Sequence, residues 1–207
     1  MPIIAVCFVL GVSAHAADCG KVCDPKFWES ADRKTIISEL QSVDLGSSDW
    51  GNFTPLLHTA LRGDLEMISV FVDRGADVNY QRLGDGYLHH GYTALMMAKE
   101  PEIVAYLLGQ GADPNLLNRW NRNAIFYVEN IKSLELLLQA GTNPKQIDTS
   151  GNSAIFHAWG YKTISTLIEL GLDPNHQNHD GETALHVNLS CCSAGLAQAW
   201  GWSKLRG

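Results

Sequence analysis

Gln110-Gly111-Ala112-Asp113-Pro114-Asn115 is answered 30 residues later by Ala140-Gly141-Thr142-Asn143-Pro144-Lys145, and after another 30 by Leu170-Gly171-Leu172-Asp173-Pro174-Asn175. Arg74-Gly75-Ala76-Asp77-Val78-Asn79 is an earlier instance of the same pattern. A second pattern keeps step with it: Thr93-Ala94-Leu95, Asn123-Ala124-Ile125, Ser153-Ala154-Ile155 and Thr183-Ala184-Leu185, with Thr54-Pro55-Leu56 opening the series. Two patterns held in phase over several periods mark a repeat architecture, in which each unit buries its apolar face only against its neighbours.

Each piece of the unit has a physical task. Thr, Asn or Ser precedes an apolar stretch, where its side-chain oxygen can accept a bond from an orphan N–H and start a helix. Gly closes the unit, where a helix end favours a residue that tolerates the left-handed conformation. Asp, Asn and Pro then form the turn that leaves the helix. Between cap and Gly lie two short apolar blocks, Ala94-Leu95-Met96-Met97-Ala98 and Ile103-Val104-Ala105-Tyr106-Leu107-Leu108. In the second, Ile103 and Leu107 share one helical face. Each unit therefore predicts helix, tight turn, helix and an extended finger.

This pattern resembles the ankyrin repeat. The match is closest over 54–79, from Thr54-Pro55-Leu56 through Gly63-Asp64-Leu65-Glu66 to Gly75-Ala76-Asp77-Val78-Asn79. Asp180-Gly181-Glu182-Thr183-Ala184-Leu185-His186 matches the start of a repeat. The resemblance covers 50–186 and implies an all-α ankyrin-repeat solenoid of stacked helix-turn-helix units with finger loops. It also implies a concave side of fingers and first helices that binds a partner protein, with no cofactor and no catalytic site. The departures are specific. The family's His after Thr-Pro-Leu survives only as His186, a structural residue in the family. The middle repeats are shorter between cap and Gly, which predicts a turn three residues shorter, with Glu100-Pro101 replacing the usual Gly. The finger between Gly75 and Thr93 carries six extra residues, within 82–92.

The ends read differently. Ile3 to Val12 is an apolar run too short to span a bilayer, where about 20 residues are needed. Ser13-Ala14-His15-Ala16 follows it with small residues where an A-x-A cleavage site needs them. Residues 1–16 read as a signal peptide, although no Lys or Arg precedes the apolar run, and the chain is expected to be exported, periplasmic or secreted, in the bacterial style. No membrane span is expected after cleavage. Residues 17–49 hold a degenerate capping repeat, with Ile36, Ile37, Leu40 and Val43 on one helical face and Phe27 and Trp28 over the exposed end. Residues 187–207 are either a divergent cap or a truncated or frameshifted tail. Cys19 and Cys23 could bridge at the mature N-terminus. Cys191 and Cys192 are adjacent, so a bridge between them would be strained.

Hydrophobic residues make up 45% and charged residues 18%, which suits a chain that buries a core. A formal charge of −7 argues against nucleic acid, whose phosphates need clustered Lys and Arg. No G-x-S-x-G elbow, phosphate loop or H-E-x-x-H is present. The expected activity is therefore a monomeric, non-enzymatic scaffold for one protein partner. Tyr87, His89, His90 and Tyr92 in the long finger, Arg119, Trp120 and Arg122 in the next, and Tyr127 on a first helix are the candidate binding residues. Tyr, Trp and Arg dominate many interfaces, and loops on rigid scaffolds concentrate function. Packing is the competing role for Tyr92 and Trp120, and equally for Tyr127, His157 and Trp159. The alternative is a metal-dependent protein using His176, His179, His186, Cys191 and Cys192, since imidazole and thiolate ligate zinc. With no rigid C-x-x-C pair, no metal ligand is assigned.

Overall fold

The structure, a computed structural model, describes residues 32–39, 55–81 and 91–191. The expected signal peptide, the Cys19–Cys23 bridge, Cys192, and Tyr87, His89 and His90 lie outside the described residues. In chain order the helices are α1 (Arg33–Glu39), α2 (Pro55–Arg62), α3 (Leu65–Asp73), α4 (Ala94–Met97), α5 (Pro101–Gly109), α6 (Ile131–Gln139), α7 (Tyr161–Glu169) and α8 (Ala184–Cys191). Single 3-10 turns at Ala124–Tyr127 and Ala154–Phe156 take the place of first helices in two of the units. Among the described residues there is no named strand; the isolated antiparallel pairs Ile147 with Ser153 and Gln177 with Thr183 each close one finger on itself. This is an all-α ankyrin-repeat solenoid.

The helix boundaries follow from the residues named above. Thr93 accepts a bond from the Met96 amide at 3.2 Å and starts α4. Asn123 does the same for Ile125 at 3.3 Å. Pro101 occupies the first turn of α5, where its missing N–H costs no bond. Each second helix ends in one closure: the Gly amide reaches back three residues and the next amide reaches back five. Gly111 to Leu108 (3.0 Å) with Ala112 to Leu107 (3.0 Å) is one case, and Gly141 to Leu138 with Thr142 to Leu137 is the next. The closure needs positive φ, found at 86° for Gly111 and 83° for Gly141.

One expectation is corrected. The shorter repeats do not lose residues from the turn between helices. They lose them from the first helix, which falls from eight residues in α2 to four in α4 and then to single 3-10 turns. The reason lies in which positions are buried. Leu95 and Met96, Ile125 and Phe126, and Ile155 and Phe156 are all buried, so one turn suffices to set two apolar side chains into the core.

That core is a continuous stripe. Ile103, Val104 and Leu107 of α5, Leu134 and Leu137 of α6, and Ile164 and Leu167 of α7 are buried. Each such side chain contributes about 1.5–3 kcal/mol on burial. At the N-terminal end, Asp32 caps α1 by accepting from the Thr35 amide at 2.7 Å, and Ile36 joins the same core.

Candidate functional site

The fingers are cross-linked by two polar ladders. At the finger base, Asn79 donates from Nδ2 to the Gly111 carbonyl at 3.0 Å and accepts from the Asp113 amide at 2.7 Å. Asn115 repeats both bonds with Gly141 and Asn143, at 2.9 and 2.7 Å. The third rung is missing: position 145 is Lys, which forms neither bond. At the finger bend, Asn118, Asp148 and Asn178 stand 30 residues apart. Each accepts from the amides two and four residues ahead through one side-chain oxygen. Asn121, Gly151 and Gly181 follow at positive φ. A Cβ at Gly151 would stand 2.7 Å from the His179 ring, so no side chain fits there.

Three aromatic rings gather on this scaffold. Tyr92 lies 5.7 Å from Trp120 and 5.4 Å from Tyr127, the latter edge-on. All three are half-buried. The Asn118 amide donates to the Tyr127 hydroxyl at 2.6 Å. Burial, with Tyr92 alongside, pushes the Tyr127 phenol well above its ordinary value, so it stays neutral. Trp120 is anchored through its backbone, whose carbonyl accepts from the Thr149 amide at 2.9 Å. The neck of the long finger is closed by Gln81, which donates to the carbonyls of Gly91 (2.8 Å) and Leu117 (3.1 Å).

Next to the rings lies a charged layer. Arg122 donates to Asp148 Oδ2 from Nε at 2.8 Å and places Nη2 at 2.6 Å from the same oxygen. The Asp148 side chain is fully shielded from solvent. Burial alone would raise its carboxyl, but bonds from Asn152, Arg122 and the Ser150 amide outweigh that and hold it below the usual carboxylate value. His157 Nε2 stands 3.7 Å from the same Oδ2, buried and without a hydrogen-bond partner. Burial first, then the Arg122 charge, lowers its pKa from 6.5, against the opposing pull of Asp148.

The structure thus brings Tyr92, Trp120, Arg122 and Tyr127 together and leaves Arg119 exposed on the same finger. Asp148 and His157 complete the group. Asp148 carried no site signal by itself; setting the repeats at their 30-residue step would have shown the lone carboxylate in the column Asn118, Asp148, Asn178. Trp159 sits apart, 63% exposed at the turn between helices. No three His, Cys, Asp or Glu side chains among the described residues converge to hold a metal. His176 Nε2 is bonded to the Gly151 carbonyl at 2.7 Å, and His186 Nδ1 takes the Thr183 amide at 3.3 Å.

A family profile described as ankyrin repeats in three copies matches residues 29–118. Two curated relatives are ankyrin repeat and SAM domain-containing protein 6 of Rattus norvegicus and of Mus musculus. The rat protein is 46% identical over 66 residues, 30% of this chain and 7% of its own length. The mouse protein is 44% identical over 63 residues, 29% of this chain and again 7% of its own. The aligned stretch is therefore a small part of either relative. Stacked helix pairs, glycine-closed second helices and bonded fingers agree with that match, and the same solenoid fold continues beyond the matched residues to Cys191.

Proposed function

We propose that this chain is a non-enzymatic scaffold, working as a monomer, that binds one protein partner through its fingers and short first helices. The observation that carries this reading is the group Tyr92, Trp120 and Tyr127, three half-exposed rings fixed on a bonded finger ladder. Aromatic anchors that are already ordered lose little entropy on binding, and such residues dominate interface energetics. Ankyrin repeats generally mediate protein–protein contact, which supports a protein as the ligand class. Export to the periplasm or medium, in the bacterial style, is part of the same proposal and rests on residues 1–16 alone; the relatives compared are rodent proteins.

The test is affinity capture with folded chain, comparing wild type with Tyr92→Ala, Trp120→Ala and, at the opposite end of the repeats, Tyr161→Ala. Tyr161 is 67% exposed, so that variant is a surface control. The expected result is a partner retained by wild type and Tyr161→Ala and weakened by about 1–4 kcal/mol in the two finger-face variants. Capture unaffected by Tyr92→Ala and Trp120→Ala would remove the aromatic group from the interface.

A further inference from the structure

The finger-bend ladder repeats one arrangement with different chemistry. In the first layer Asn118 is bonded to Tyr127, nine residues ahead. In the last, Asn178 is bonded to Asn152, 26 residues back. The middle layer fills the same positions with charge: Asp148 faces His157, nine residues ahead, and Arg122, 26 residues back. Both contacts end on one atom, Oδ2, and both partners are cations when protonated. The charged groups facing the His157 ring are Arg122 and Asp148; the Phe126 ring, 5.8 Å away, closes another side. Arg122 also lies 5.9 Å over Phe126, so it has an apolar ledge on which to rest when the carboxylate is shared.

We propose that His157, Asp148 and Arg122 form a proton-operated latch between neighbouring fingers, in which proton uptake by His157 transfers Asp148 Oδ2 to the imidazolium and loosens Arg122 onto the finger face. In the protonated ring both nitrogens carry hydrogen, so Nε2 becomes a donor whichever neutral tautomer precedes it. The uptake adds one positive charge next to Arg122, and repulsion between the two cations drives the exchange. The latch is closed at neutral pH, because burial and Arg122 keep the ring unprotonated there. It opens as pH falls below 6.5, the ordinary histidine value. The finger face then presents a mobile guanidinium beside Tyr92, Trp120 and Tyr127. The latch concerns the chain alone and does not depend on the partner proposed above.

The experiment is NMR on the full chain across the acid range, following the His157 ring and the solvent exchange of the Arg122 Nε–H, each rate taken relative to a free guanidinium at the same pH so that the base-catalysed pH dependence of exchange cancels. Expected is His157 titration below its ordinary value, with Arg122 relative exchange rising by about tenfold over the same range, equivalent to one pKa unit of coupling. His157→Tyr should hold Arg122 exchange slow and flat. The pair Asp148→Asn with His157→Tyr, which copies the Asn118–Tyr127 layer, should give exchange that is fast and flat, and it guards against a single variant that fails to fold. The proposal is overturned if Arg122 stays protected while His157 titrates, if the acceleration persists in His157→Tyr, or if His157 stays neutral until the chain unfolds.

Discussion

Asp148 keeps an ionised carboxylate out of solvent because every approach to it is donor-lined: two backbone amides ahead of it, the Asn152 amide and the Arg122 guanidinium. Removing one such donor leaves a buried charge under-solvated. Arg122→Ala should therefore destabilise the chain by about 2–3 kcal/mol, below the cost for a fully buried pair because Arg122 is 21% exposed. A urea midpoint unchanged in that variant would refute it. The pH signs follow from the same atoms. The folded-state pKa of Asp148 is depressed below 3.8, so its contribution is complete above 3.8 and lost as pH falls through the lower folded value. That of His157 is depressed below 6.5, so the stability tied to its neutral ring is present above 6.5 and lost as pH falls through the lower folded value. Urea melts of wild type and His157→Tyr should diverge on acidification from about pH 7 to about pH 5, wild type losing more. Parallel curves would show that this ring carries no part of the acid response.

At the scale of the element, caps and closures are legible in the residues themselves, because each is local. Thr93, Asn123, Pro101 and Gly111 act within one turn of the helix they start or end. The collapse of two first helices to 3-10 turns is not legible there, since spacing shows how many residues are missing but not from which side of the turn. The charged layer is hidden for another reason. It joins residues 26 and nine apart across a finger, and only the packed register makes Arg122, Asp148 and His157 neighbours. Lys145 is the converse case: a visible departure in the sequence whose consequence, a lost rung between fingers, emerges only beside the Asn79 and Asn115 bonds. Lys145→Asn should restore the rung to the Gly171 carbonyl and the Asp173 amide. The expected gain is about 0.5–1.5 kcal/mol, with slower hydrogen exchange at Asp173. Exchange at Asp173 no slower than in wild type would mean the rung does not form.

At the scale of the whole molecule, packing among the described residues runs mainly between neighbouring units, so stability is shared along the stack rather than held in one centre. Leu134 is fully shielded in the middle of the stripe. Leu134→Ala should cost about 2–5 kcal/mol and loosen both adjoining seams. Hydrogen exchange would check this: protection should fall in α5 and α7 as well as α6, and a loss confined to α6 would contradict neighbour coupling. The same one-dimensional design explains how an acidic chain, with a formal charge of −7, can present a finger face built of Tyr, Trp and Arg. In the proposed reading, helices carry the core and the fingers carry recognition.

Whether that face is the binding surface is settled most directly by site-specific photo-crosslinking in the source cells' own extract. A photoreactive residue is placed in turn at Trp120 on the finger face and at Trp159 at the turn between helices. The account predicts one discrete crosslinked protein from position 120 and none from position 159. A crosslink from position 159 with none from position 120 would contradict it and move recognition to the opposite end of the repeats.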